Sequence, residues 1–272
     1  MEYLFNDWKS VVKKIDKNNL FIFLDFDGTL APIVPTPKRA VLPKAAQRLL
    51  TKMSESPNIK LAFISGRRLE DIKSKIKIKN AIYSGNHGFQ LEGPKIKFQP
   101  LISPQYQKII ERVKSDLGQK IAHIQGAFIE DKGIILSLHF RLVDKKKIAE
   151  LKTIFHETVI LHLVSNKIKI KEGKMVLEVW PPVEWDKGKI VLWLLARRLL
   201  ASKGGDILPI YIGDDVTDED AFRVIKNKGL AIFVGTPKTS YAQYYLKNHS
   251  EVQKFLEKIL QKQFFILRRA RC

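Results

Sequence analysis

Two short runs in this 272-residue chain gather carboxylates where chemistry could use them. The first is Asp25-Phe26-Asp27-Gly28-Thr29, and the second is Gly213-Asp214-Asp215-Val216-Thr217-Asp218-Glu219-Asp220. Asp25 and Asp27 stand two apart, so both can face one side of an extended backbone. Carboxylates held together repel one another unless a cation or a shared proton intervenes. If the two runs adjoin, their oxygens form a pocket suited to a hard ion such as Mg²⁺. The run around Asp214 alone reads equally as a turn leading into the acid-rich first turn of a helix. The pair together, in a basic chain, favours the ion pocket. Ser65-Gly66-Arg67 opens a helix after a strand, and a hydroxyl at a helix N-terminus suits a phosphate. Lys187, beside Asp186 at another helix start, could reach a phosphoryl oxygen as a point charge. On their own, a serine cap and a solvated lysine are commoner than ligands. His87 alone reads equally as a loop histidine satisfied by backbone. No P-loop is present, and the acidic run around Asp214 lacks the glycine of an EF-hand.

The elements that must position these residues form a β-loop-α rhythm. Apolar runs at Leu20 to Phe26, Ile59 to Ile64 and Ala81 to Tyr83 read as buried strands, with helices near Lys44 to Met53 and Arg68 to Ile76 between them. From about Leu91 to Trp180 the rhythm changes. Strands are expected at Ile121 to Ile129, Ile134 to Arg141 and Lys167 to Trp180, with helices near Pro104 to Leu117 and Asp144 to His162. After Pro181-Pro182 the first rhythm resumes: helix Asp186 to Ser202, strand Pro209 to Ile212, helix Glu219 to Lys226 and strand Leu230 to Val234. The expected fold class is α/β, a doubly wound parallel sheet over 1–92 and 181–272, interrupted by an α+β insert over 93–180. In such sheets, ligands bind at the carboxyl ends of the strands, where both acidic runs fall.

Composition narrows the classes further. Apolar residues at 45% and charged residues at 28% suit a globular chain with a full core and exclude collagen and low-complexity readings. The single cysteine, Cys272, excludes an internal disulfide and a cysteine-built zinc site. The N-terminus carries Glu2 and Asp7 and does not read as a signal peptide, and no apolar stretch is long enough to span a bilayer. A cytoplasmic protein is expected. Lys and Arg total 48 against 28 Asp and Glu, a net charge of +20 that suits anionic partners. The charge is spread evenly, so no segment reads as a nucleic-acid arm. The exception is the tail from Lys258 to Cys272, which carries cations and no acid. Fraying or docking of that tail is expected, with a membrane surface as a further reading.

Asp25-Phe26-Asp27-Gly28-Thr29-Leu30, Ser65, Lys187 and Gly213-Asp214-Asp215 resemble, in order, the four motifs of the haloacid dehalogenase-like phosphatases. The wider blocks Ile64-Ser65-Gly66-Arg67, Gly85-Asn86-His87-Gly88, Trp185-Asp186-Lys187-Gly188 and Gly213 to Phe222 look like the trehalose-6-phosphate phosphatases, and the resemblance runs from Leu20 to Val234. It implies Asp25 as nucleophile and Asp27 as general acid and base, with Ser65 and Lys187 holding phosphoryl oxygens. It also implies Mg²⁺ bound by Asp25, the carbonyl of Asp27 and Asp214, with Asp215 or Asp218 in support. Phe26, Gly28, Arg67, Asn86 and His87 would join Asp25 and Asp27 in binding substrate. Substrate choice would belong to the insert, through Arg141, Lys174 and Glu178. Lys174 and Glu178 are four apart on a strand pattern, hence expected on one face. Trp180 departs from the family, which usually carries arginine there, so sucrose phosphate and mannosylglycerate phosphate stay open as substrates. A basic nucleic-acid binder without catalysis is the remote alternative. The leading reading takes a small sugar phosphate, with no nucleic acid and no membrane, supplied by a trehalose-6-phosphate synthase.

Overall fold

A computed structural model gives the fold over residues 1–16, 18–197, 206–237 and 239–269, the side chains of 264–269 aside. The chain divides into two compact units: Met1–Phe98 joined by the chain from Trp185 onward, and Gln99–Glu184.

The larger unit begins with β1 (Glu2–Tyr3), α1 (Trp8–Ile15), β2 (Asn19–Leu24), α2 (Lys44–Ser54) and β3 (Ile59–Ile64). It continues with α3 (Leu69–Ile76), β4 (Ile82–Gly85), β5 (Gln90–Gly93) and β6 (Ile96–Phe98). The inserted unit supplies α4 (Pro104–Lys120), β7 (Phe128–Asp131), β8 (Leu136–His139), α5 (Ile148–Val164), β9 (Lys169–Gly173) and β10 (Val176–Trp180). The larger unit then resumes with α6 (Lys187–Ala196), β11 (Ile207–Gly213), α7 (Glu219–Ile225), β12 (Leu230–Val234), β13 (Tyr244–Leu246) and α8 (His249–Arg269).

Among the described residues, nine strands join in the order β1-β13-β12-β11-β2-β3-β4-β5-β6. They are parallel from β1 through β4, and antiparallel at the β4–β5 and β5–β6 pairs. The apolar run of β2 is explained by burial on both faces. Leu20, Ile22 and Leu24 join the core that holds Leu50 and Met53 of α2, Ile72 of α3 and Phe255 of α8. Phe21 and Phe23 join the opposite core, with Ile190 and Leu194 of α6 and Phe222 of α7. Leu24 pairs with Phe63 on one side and with Ile212 on the other, which brings three strand ends level.

Several sequence expectations are corrected. The parallel sheet is extended by the β5–β6 hairpin, so the insert begins beyond Phe98. Of the expected strand Ile121 to Ile129 only Phe128 and Ile129 lie in a strand, at the start of β7: Ile121 caps α4 and Ile124 is buried in the insert's core, so the apolar spacing before Phe128 reflects a closing turn. The expected helix Asp186 to Ser202 is seen as Lys187–Ala196, and its end beyond 197 lies outside the described residues. The first part of the basic tail continues α8, with Ile259, Leu260 and Gln263 buried, while the side chains of 264–269 and residues 270–272, Cys272 included, lie outside the described residues.

The inserted unit is a four-stranded sheet, order β7-β8-β10-β9, antiparallel throughout. Leu136, Leu138, Leu177 and Val179 form its apolar face, packed with Val113 and Leu117 of α4 and Leu151 and Phe155 of α5. Its other face carries polar residues in register, Glu130 opposite Ser137, Ser137 opposite Glu178, and Glu178 opposite Lys171. Among the described residues, no helix is long and apolar enough to cross a membrane.

Candidate active site

The candidate site lies where β2, β3, β4 and β11 end. Asp25 leaves β2 with its amide still donating to the Ile212 carbonyl at 3.0 Å, which fixes it beside β11. Gly28 follows with φ +85, and a Cβ there would lie 2.3 Å from an oxygen of Asp214. Glycine is therefore required twice over, for its left-handed backbone and for the approach of Asp214. The two acidic runs do adjoin.

Ligand oxygens of Asp25, Asp214 and Asp218 lie within 4.8 Å of one another, and all three residues are buried. Lys187, at the start of α6, donates to Asp25 Oδ1 at 2.9 Å and to Asp218 Oδ1 at 2.7 Å. The Tyr211 hydroxyl also donates to Asp218 Oδ1, at 2.7 Å, and the amides of Asp214 and Asp215 donate to Asp218 Oδ2 at 3.0 and 2.9 Å. Four donors thus fill the acceptor positions of Asp218, which ties the β11 loop to Lys187. Burial pushes the Asp25 carboxyl well above the usual carboxylate range, Lys187 opposes this, and Asp218 and Asp214 add to it. Burial would also strip Lys187 of its proton, but the charges of Asp218 and Asp25 outweigh it and hold the ammonium. Tyr211 is held as a neutral donor by burial and by Asp218.

Three buried carboxylates gather hard oxygen donors in one place. That donor set fits a divalent cation of the Mg²⁺ type, with Asp25 and Asp214 as the residues that would hold it. Asp215 stands outside the group: it is half-buried, and its Oδ1 accepts from the Val216 amide at 2.7 Å.

The Asp27 carboxylate also stands outside it. Its oxygens accept from Arg67 Nε at 2.6 Å and from Nη2 at 2.7 Å. Phe26 is fully buried beneath the Arg67 guanidinium. Ser65 directly follows β3, its hydroxyl accepting from the Arg67 amide at 3.2 Å. The loop after β4 zips onto this turn: the Asn86 amide donates to the Arg67 carbonyl at 2.7 Å, and the His87 amide to the Ser65 carbonyl at 2.9 Å. A Cβ on Gly66 would lie 2.4 Å from the His87 ring, so glycine admits that imidazole. Asn86 also donates from Nδ2 to Gln90 at 3.0 Å.

In the inserted unit, Glu178 accepts from Lys132 at 2.9 Å, from Ser137 at 2.6 Å and from Trp180 Nε1 at 3.0 Å. Lys174 is not on the strand with Glu178. It sits in the β9–β10 turn, where its carbonyl accepts from Arg141 at 3.0 Å, so the expected shared face does not exist. Trp180 is 2% exposed, with Lys171 3.8 Å from its ring centroid, and its role within this unit is to hold Glu178. The sequence reading missed Tyr211, Lys132, Ser137 and Asp71. Tyr211 interrupts an apolar strand with one hydroxyl, which was its only signal.

A parallel sheet carrying paired acids, a lysine and a serine turn at its strand ends has the fold of the haloacid dehalogenase-like hydrolases. A solved hydrolase of that description from Bacteroides thetaiotaomicron superposes with a TM-score of 0.62 at 15% identity, over 89% of this chain and 100% of that one. The C-terminal domain of the trehalose-6-phosphate phosphatase of C. albicans superposes with a TM-score of 0.79 at 24% identity, over 95% of this chain and 96% of that one. Both likenesses show the fold. The trehalose-phosphatase family profile matches residues 23–250. Trehalose-phosphate phosphatase B of Arabidopsis thaliana is 34% identical over 270 residues, 94% of this chain and 70% of that protein. The chain belongs to the trehalose-phosphatase family.

Proposed function

We propose that this chain hydrolyses trehalose 6-phosphate to trehalose and phosphate, with Asp25 as the nucleophile. The observation that carries the reading is the placement of buried Asp25 at hydrogen-bond distance from Lys187 and beside Asp214. In the first half, an Asp25 oxygen bonds to phosphorus as the bond from phosphorus to the sugar oxygen breaks. Asp27 gives its proton to the departing oxygen. In the second half, Asp27 takes a proton from water, which attacks the aspartyl-phosphate and frees phosphate and Asp25. Lys187 uses two donors on Asp25 and Asp218, and we assign the third to a phosphoryl oxygen. The Ser65 hydroxyl, accepting from the Arg67 amide, keeps its own proton to donate to another. A Mg²⁺ held by Asp25 and Asp214 would offset the repulsion between an anionic nucleophile and an anionic phosphate. We assign recognition of the sugar to the inserted unit, with Arg141, Lys174 and Glu178 as the residues the family resemblance brings forward. We take the supplier of substrate to be a trehalose-6-phosphate synthase and the compartment to be the cytoplasm, a reading supported by the lone cysteine.

The test is phosphate release from a panel of sugar phosphates, with and without Mg²⁺. Preference for trehalose 6-phosphate and loss of release on chelation are expected. Preference for sucrose phosphate or mannosylglycerate phosphate overturns the substrate and leaves the mechanism. Undiminished release in chelator overturns the metal, and no release from any member overturns the enzyme.

A further inference from the structure

The pairing of Arg67 with Asp27 gives the arginine a role other than substrate binding. Resting on the reaction proposed above, we infer that Arg67 is the positioning residue for Asp27, setting the direction in which its carboxyl meets the sugar oxygen and the water. The two contacts between them, at 2.6 and 2.7 Å, are a bidentate fork. Such a fork fixes orientation as well as charge, which a lysine cannot reproduce. The fork itself is anchored. Nη1 donates to Asp71 at 2.6 Å, Nη2 also donates to the Pro37 carbonyl at 2.8 Å, and the guanidinium lies 5.3 Å from the Phe26 ring centroid. The Arg67 backbone is pinned at both ends, its amide by Ser65 and its carbonyl by the Asn86 amide. Arg67 is 6% exposed and Asp27 41% exposed, so a fixed arginine orients a carboxylate that solvent would otherwise leave mobile. Arg67 makes and breaks no bond in the reaction. Its donors are directed at Asp27, Asp71 and Pro37, not at a phosphoryl oxygen.

The experiment compares Arg67→Lys with wild type on two substrates. Trehalose 6-phosphate has an alkoxide leaving group that needs a proton, whereas p-nitrophenyl phosphate releases a stable anion in its first turnover without one. The variant is expected to lose about 10²-fold in kcat on trehalose 6-phosphate with KM unchanged, while first-turnover release of p-nitrophenolate changes by less than about threefold. Equal losses on the two substrates would make Arg67 a holder of phosphate or of the fold, and would overturn the inference. So would a raised KM at unchanged kcat, the signature of a substrate ligand. Should Arg67→Lys fail to fold, Asp71→Asn loosens the anchor at a half-exposed position and carries the same test. A selective loss of about tenfold is then expected, and a uniform loss or none overturns the inference. A wild-type protein that releases phosphate from p-nitrophenyl phosphate but not from trehalose 6-phosphate overturns the proposed substrate instead, so the two failures are distinct.

Discussion

Burial governs how Asp25, Lys187 and Asp218 behave as a group. Water cannot share the charge, so each carboxylate depends on the single ammonium between them. Replacing Lys187 by Met leaves two buried carboxylates without their cation, and is expected to cost about 3–5 kcal/mol of unfolding free energy. Asp25→Asn acts in the opposite direction. The folded-state pKa of Asp25 is raised above its unfolded value of 3.8, chiefly by burial. Its contribution to stability is therefore full below that value and lost as pH rises through the folded one. An amide carries no such cost. With divalent ions chelated at pH 7, Asp25→Asn should melt at or above the wild-type temperature while Lys187→Met melts below it. Denaturant and thermal unfolding of the three proteins check both signs.

At the scale of elements, the site depends on α6 packing closely against α7. A Cβ on Gly188 would lie 2.6 Å from the carbonyl oxygen of Asp220. Gly188→Ala must therefore push the start of α6 away and carry Lys187 with it. Displacement of about 1 Å can cost about 10²-fold in rate, and a loss of that order in kcat, with the fold retained by circular dichroism, is expected. The strands that build this site were legible in sequence. Leu20 to Leu24, and Ile59 to Ile64 apart from Lys60, are apolar because both faces of the sheet are covered, and each run ends at a chemical residue. The insert was less legible. Ile121 and Ile124 are spaced like a strand yet close a helix, and Lys174 shares a sequence block with Glu178 but occupies the turn before its strand. The partner of Asp27 was not legible either. Residues 40 positions apart meet there through adjacent strand ends, and no local pattern records that contact.

At the scale of the molecule, the +20 charge has a structural as well as an electrostatic use. Lys254 and Lys258 of α8 lie 5.3 and 5.1 Å from the ring centroids of Phe5 and Trp8, so these cations cover aromatic rings of the N-terminal segment. The remaining field can raise the encounter rate of an anionic sugar phosphate. The chain ends are also joined by Tyr244, whose hydroxyl donates to Asp7 at 2.7 Å. Burial first, and then Asp7, push the tyrosine up to about 12 from 10.0. The neutral phenol is the form favoured in the folded state, so its contribution is complete below pH 10 and is lost as pH rises through about 12. Tyr244→Phe should remove that dependence. Unfolding followed between those limits should fall more steeply for wild type than for the variant, and parallel curves would refute the link.

As proposed above, Asp25 carries the phosphoryl group of trehalose 6-phosphate. Phosphate release from that substrate in the presence of Mg²⁺, by wild type and by Asp25→Asn, tests it most directly. Steady release by wild type and a loss of at least about 10³-fold in the folded variant are expected, as for removal of a catalytic nucleophile. Near-normal release by Asp25→Asn would contradict Asp25 as the nucleophile.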